Sequence, residues 1–428
     1  MSPNQHLRFL REYHCCHYVY LLFIFFLSYL NCTTLAKLTL STIFSDNLIL
    51  PAKPLRANIF GKTTSGKNVK IQVQLELCSK TTTISTITCV EDIRAEGTST
   101  NENGAFEIVL PEREAIEFEI GSNTLPQFWK LTITDTSDSS TLKFNNILFG
   151  DIYFATGQSN LMFGTWKARE FAKMKSEASK YPHLRMYSVK FDIDSAAPTE
   201  TIEGVPGFDG WKISSDALVQ GLNRNAGTSR DVFVPPSAVA YSFGKGIQDI
   251  LSQQQLSSSK KVVPIGIIVS LARGAGIISW ISENANSDPT CTDVWLDTSQ
   301  TALKWGSIPR TRKSHLWNAI VYPLLRFPVR GYLWYHGSYD RQVAEQFGDK
   351  YLASYACLQK AMIRDYRNKW QKYDKVNGIG NFITVSAHPA KYRKKFDQEK
   401  AVVLFRIAQA SPQYDASIDG AGIIPTYE

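Results

Sequence analysis

"ILFGDIYFATGQSNLMF", Ile147 to Phe163, decides how the rest of the chain reads. Its first ten residues are nearly continuously apolar, the pattern of a strand buried on both faces of a parallel sheet. The run stops at Gly157-Gln158-Ser159-Asn160, small and polar residues where such a strand ends. Ser159 is then either a nucleophile or a hydroxyl in a turn. Its neighbours elsewhere in the chain must choose.

Downstream, strands alternate with helices. "WKAREFAKMKSEASKY" is helical, "LRMYSVKFDI" a strand, and "SAVAYSFGKGIQDILSQQQ" apolar at helical spacing. "VVPIGIIVSL" is a buried strand, "HLWNAIVYPLL" a helix and "VRGYLWYHG" a strand again. The long helix "FGDKYLASYACLQKAMIRDYRNKW" precedes a fifth strand, "NFITVSA". This order predicts a parallel sheet covered on both faces, with functional groups at the carboxyl ends of its strands. Those ends are Gly157 to Asn160, Ser270 to Gly276, Tyr335 to Asp340 and Ser386 to Lys391, each small or polar. Upstream, Leu38 to Asn146 carries short period-2 segments such as "KNVKIQVQLELC" with turn residues between them. These predict a β-sandwich-like domain. The domains expected are a signal segment 1–36, the β-domain 37–146 and an α/β domain 147–428, two folded units for 428 residues.

Apolar residues make up 43% and charged residues 20%, a globular composition. The formal net charge of +8 is spread along the chain, with mild clusters such as "KYRKKF" (391–396). No zinc finger or aromatic-basic motif accompanies it, so nucleic acid is not an expected partner. Arg8 and Arg11 precede "YVYLLFIFFLSYL" (18–30), about 20 Å of helix and too short to cross a bilayer core of about 30 Å. The segment reads as a secretory signal cleaved near Cys32 to Ala36, with an uncleaved anchor as the alternative. A secreted or lysosomal protein is expected, without stable membrane insertion once the signal is cleaved. Of seven cysteines, Cys78, Cys89, Cys291 and Cys357 lie clear of that segment. In an oxidising compartment they pair as Cys78–Cys89 across a hairpin and Cys291–Cys357, four buried thiols being the alternative. No Cys/His spacing suggests a metal, and no cofactor is expected.

Acyl transfer needs a nucleophile and donors aimed at an oxyanion. The nucleophile-elbow pattern Gly-x-Ser-x-Gly is absent, which excludes that hydrolase class. "FGDIYFATGQSNLMF" instead resembles the first block of the sialate O-acetylesterases of the SGNH hydrolase superfamily, Gly-Asp followed by Gly-Gln-Ser-Asn-Met. "VPIGIIVSLARGAGIISW" is similar to their second block. "LWNAIVYPLLRFPVRGYLWYHGSYD" resembles the third. The resemblance implies an SGNH-type sheet flanked by helices and hydrolysis of O-acetyl esters on sialic acids. It makes Ser159 the nucleophile, with its own NH and that of Gly274 on the oxyanion. It puts His336 beside the reacting carbonyl. Gln158, Asn160 and Arg273, next to these groups in the chain, are the substrate-binding candidates.

The chain departs from that pattern. Arg273 and Ala275 flank Gly274 where the family has glycine and threonine. Ile278 replaces a glutamate, Tyr322 a histidine, and His336-Gly337-Ser338 stands for Gln-Gly-Glu. The family's base lies in an Asp-x-x-His motif, and none occurs after residue 400. The last strand and terminal helix count among the missing pieces. At most trace esterase activity is therefore expected, and a glycan-binding remnant is the competing class. Among other histidines, His315 begins a helix, His388 ends the fifth strand and His183 reads as a surface helix terminus.

Overall fold

The computed structural model describes residues 38–426 apart from 81–86, 122–126, 192, 207, 209, 224–235, 255–260, 292–311, 372–379 and 388–395. The signal-like segment and His388 lie outside the described residues. Among the described residues eight strands come first: β1 (Leu38–Leu40), β2 (Ile49–Pro51), β3 (Asn58–Thr63), β4 (Lys70–Lys80), β5 (Ile87–Thr98), β6 (Ala105–Val109), β7 (Phe118–Glu119) and β8 (Gln127–Asp135). β1, β3 and β6 make one antiparallel sheet, and β4 pairs antiparallel with β5 and β8. Ile59 and Ile108 of the first sheet share a core with Ile71, Val73 and Ile133 of the second. The alternation of β4 fits this packing, since every second residue from Ile71 to Leu75 is buried.

The strand quoted above is the hinge of the molecule. β9 (Thr141–Gly157) runs for 17 residues. Its first part pairs antiparallel with β8; from Asp151 onward it is the middle of a parallel sheet. Burial changes where the pairing changes. Thr141 to Asn146 alternate between exposed and half-buried, and Ile147 to Gly150 are all buried. Asn146 adopts a left-handed conformation (φ 56°), which bends the strand. The fully buried Arg185 holds that bend. Its Nη1 donates to the carbonyls of Asn146 (2.5 Å) and Asn47 (2.9 Å), and its Nη2 to Asn146 Oδ1 (2.9 Å).

The remaining strands are β10 (Leu184–Ser188), β11 (Lys212–Ile213), β12 (Lys261–Val262), β13 (Ile265–Leu271), β14 (Gly331–Tyr335), β15 (Asn381–Val385) and β16 (Ala421–Ile424). The sheet order is β11-β10-β13-β9-β14-β15-β16, parallel except for the edge strand β11. The sequence pattern predicts five parallel strands, with the next one missing. β16 corrects it: a sixth parallel strand is present, four residues long and paired with β15. The helices are α1 (Phe171–Glu177), α2 (Ser214–Asn223), α3 (Ala238–Gln254), α4 (Ile277–Trp280), α5 (Glu283–Asn286), α6 (Tyr322–Leu324, preceded by a π-turn over Trp317–Val321), α7 (Ser338–Phe347), α8 (Asp349–Trp370) and α9 (Phe396–Ala410). Successive residues of β9 feed opposite layers. Phe154 packs in the core with Trp280 of α4 and Tyr355 of α8, Ala155 in the core with Tyr241 of α3. Both faces are therefore covered, which is why the strand reads as a nearly unbroken apolar run.

Among the described residues two disulfides are formed. Cys78–Cys89 joins directly opposed residues of β4 and β5 (Cα–Cα 4.0 Å), and Cys291–Cys357 ties the turn after α5 to α8 (5.7 Å). His183 is not a surface residue. It is 1% exposed and stacked on Phe118 of β7 (centroids 3.4 Å apart), and burial pushes its pKa down to about 3. Among the described residues no helix is long and apolar enough to cross a membrane.

Candidate active site

β9, β13, β14 and β15 are mutually parallel, so their carboxyl ends lie along one edge of the sheet. β9 is gripped to its last residue: Ala272 N donates to Gly157 O (3.0 Å) and Gln158 N to Tyr335 O (2.9 Å). Gly157 sits at φ 143°, and a Cβ there would fall 2.1 Å from the Tyr335 carbonyl oxygen. Only glycine fits this approach. The chain then turns through a 3-10 segment, Ser159–Met162, anchored by the fully buried Leu161. Ser159 opens that turn and is exposed, whereas Asn160 is half-buried. Asn160 Nδ2 donates to Ser338 Oγ (3.2 Å) at the start of α7, which joins the ends of β9 and β14.

Gln158 faces inward and is 1% exposed. Its Nε2 donates to the carbonyl of Ala275. Its Oε1 accepts from the backbone NH groups of Gly337 (3.0 Å), Ser338 (2.7 Å) and Tyr339 (3.4 Å). α7 has no side-chain cap of its own, so Gln158 satisfies its first donors from across the sheet. Gln158 is a substrate-binding candidate by sequence, but its amide is engaged inside the protein. Gly274 lies in the open turn after β13, in the left-handed region (φ 62°), exposed, and with no atom within 4 Å of where a Cβ would stand. Arg273 beside it is also exposed.

His336 follows β14 on the same edge, but its ring points into the protein and is 0% exposed. Nε2 lies 3.0 Å from the Ala275 carbonyl oxygen, which can only accept, so Nε2 carries the proton. Nδ1 faces the Tyr355 hydroxyl at 3.5 Å, and the ring stacks on Trp334 (4.5 Å). Burial pushes the His336 pKa down to about 3, against the effect of the Ala275 bond. Four residues on, Asp340 is equally buried. Its Oδ1 accepts from Tyr351 OH (2.6 Å) and Ile277 N (3.2 Å). Its Oδ2 is 3.5 Å from His336 Nε2. Burial raises the Asp340 pKa to about 7, opposed by the bonds from Tyr351 and Ile277. The contact is therefore one between two neutral groups across a wide range of pH, not an ion pair.

The structure thus brings Ser159, Asn160, Arg273 and Gly274 to one edge and sets Gln158 and His336 beneath them. None of the three described histidines attends Ser159. His183 is buried against Phe118, His336 bonds Ala275, and His315 Nδ1 pairs with Asp194 Oδ2 at 3.2 Å. Sequence reasoning missed Gln409 of α9, whose Nε2 donates to His336 O (3.0 Å) and whose Oε1 accepts from Ala387 N (2.7 Å), joining the ends of β14 and β15. The replaced family glutamate, Ile278, is 3% exposed in the core with Trp280. The edge offers a hydroxyl and backbone NH groups, the parts needed to attack a carbonyl and hold its oxyanion.

The chain is 25% identical over 346 residues to the human sialate O-acetylesterase, which covers 78% of this chain and 53% of that protein. It is 23% identical over 344 residues to the Pongo abelii sialate O-acetylesterase, with the same shares covered. The resemblance to the sialate O-acetylesterases holds at the level of the family. The chain spans about half the length of the curated relatives it matches. No family model matches it. Among solved structures, a carbohydrate acetylesterase from Xanthomonas citri superposes with a TM-score of 0.61 at 20% identity, over 91% of this chain and 68% of that one.

Proposed function

We propose that this chain is a serine ester hydrolase that removes O-acetyl groups from carbohydrates, with O-acetylated sialic acid as the favoured substrate. The reading includes an SGNH arrangement of the α/β domain 147–428, a sandwich-like domain 37–146 and passage through the secretory pathway, lysosomal or secreted. Ser159 Oγ attacks the acetyl carbonyl and the sugar alcohol leaves with a proton. Water then attacks the acetyl-enzyme and acetate departs. The NH groups of Ser159 and Gly274 stabilise the oxyanion in both steps, and Arg273 holds the sugar carboxylate. No cofactor enters. The observation that carries the reading is the exposed Ser159 in the first turn after β9, on the edge where the Gly274 turn emerges. The proton acceptor falls to a group outside the described residues; His388, three positions past the end of β15, is the first candidate.

A second reading, a glycan-binding remnant, is favoured by the engagement of His183, His315 and His336 elsewhere. Acetate release from an aryl acetate and from an O-acetylated sialoside separates the two. Turnover by the parent chain that disappears in Ser159→Ala supports the hydrolase. Sialoside binding without turnover in either protein supports the remnant.

A further inference from the structure

We infer that His336, Asp340 and Gln158 are positioning residues that clamp the turn between β13 and α4, and so fix where the Gly274 NH stands relative to Ser159. The inference rests on the ester-hydrolase reading for its purpose, though not for its geometry. The turn is open on its outer side: Gly274 has nothing within 4 Å of its Cβ position, and Arg273 is exposed. It is held from below. The Ala275 carbonyl accepts from two buried side chains, Gln158 Nε2 and His336 Nε2. Two residues on, the Ile277 NH donates to the buried Asp340 Oδ1. The three side chains come from the end of β9, the end of β14 and the first turn of α7, and they converge within three residues of one turn. Gln158 also takes the first NH groups of α7, so the same amide fixes the element that carries Asp340.

Packing alone does not ask for this. A leucine would fill the stack between Trp334 and Tyr355, where His336 now sits with no exposed surface. Buried polar groups are retained at little cost only where they are bonded, and Gln158 Nε2, His336 Nε2 and Asp340 Oδ1 are bonded to the one turn whose peptide NH the chemistry needs. Glutamine at 336 reaches a carbonyl with an Nε2 donor as imidazole does, which makes it the conservative replacement. Leucine keeps the volume and loses the donor.

The test compares His336→Gln with His336→Leu. It reads kcat and KM on an aryl acetate, and hydrogen exchange of the Ile277 amide by mass spectrometry. In His336→Leu, kcat falls about 10²-fold, the effect of misplacing a reacting group by about 1 Å. KM stays nearly constant, because the lost interaction acts in the transition state. Exchange at Ile277 accelerates. His336→Gln recovers kcat and slow exchange. Equal behaviour of the two variants overturns the clamp. Should His336→Leu fail to fold, Asp340→Leu against Asp340→Asn puts the same question to the Ile277 NH. Equal exchange in that pair overturns it as well. If the parent shows no Ser159-dependent turnover while the exchange contrast holds, the esterase reading falls and the clamp stands.

Discussion

Asp340 and His336 exchange a proton on unfolding, and replacing Asp340 with asparagine exposes it. In the folded state burial raises the carboxyl from 3.8 to about 7. The folded protein therefore binds this proton more tightly than the unfolded chain does. Its contribution to stability is fully present below 3.8 and is lost as pH rises through about 7. At 1.36 kcal/mol per pH unit, the loss across that window is at most about 4 kcal/mol. His336 runs the other way, lowered from 6.5 to about 3. Its contribution is present above 6.5 and is lost as pH falls towards 3. Between these limits the folded pair holds its one proton on Asp340, and the unfolded pair holds one on the imidazole. The counts match, so the two slopes cancel in the parent protein. Asp340→Asn removes one of them. Any fixed cost of the amide beside His336 is the same at every pH and drops out of the slope. Relative to the parent, the variant gains stability from pH 4 to pH 7, by up to about 4 kcal/mol. Urea unfolding of both proteins at half-unit steps reads this as a change in midpoint at constant m-value. A stability difference that is flat with pH, or that falls as pH rises, refutes the coupled neutral pair. His183 is lowered to about 3 by burial in both proteins and affects both curves equally.

The other predictions concern covalent and backbone constraints and the rim of the site. Cys291–Cys357 closes a loop of 66 residues and Cys78–Cys89 one of 11. Loop-closure entropy puts their contributions at about 4 and about 3 kcal/mol, so the double alanine variant of the first pair should lose more stability in urea than that of the second. Gly157→Ala should lower stability by about 3 kcal/mol or more, read by thermal unfolding, because its Cβ meets the Tyr335 carbonyl at 2.1 Å in a conformation that L-residues avoid. Arg273→Gln should weaken an O-acetylated sialoside about tenfold in KM and leave a neutral aryl acetate unchanged, since only the first carries a carboxylate for the guanidinium.

What the sequence disclosed and what it hid divide along the distance over which each feature is determined. The parallel sheet was legible because burial on both faces leaves a local signature, and "ILFGDIYFAT" and "VVPIGIIVSL" carry it within ten residues each. The strand-end rule placed Ser159 and Gly274 on one edge for the same reason. β16 escaped because "AGII" is too short to show any period, and its identity comes from pairing with β15 forty residues earlier. His183 was misread because the residue that covers it, Phe118, arrives through the pairing of β7 with β12, both two residues long. The direction of His336 was hidden in another way. Past the end of a strand the period-2 rule no longer says which way a side chain points. Gly337, at φ 120°, turns the chain into α7, and its Cβ position is closed by Phe405 of α9 at 2.5 Å. The contact that fixes the turn is thus made by a helix sixty residues away. The strand end shows where polar residues gather. Which of its polar residues face the solvent and which hold the others in place is decided by partners that no local window contains: Ala275 for Gln158 and His336, Gln409 for the His336 carbonyl, Arg185 for the bend at Asn146. Local pattern therefore tells where a strand ends, while the direction of each side chain beyond that end is set by partners far along the chain.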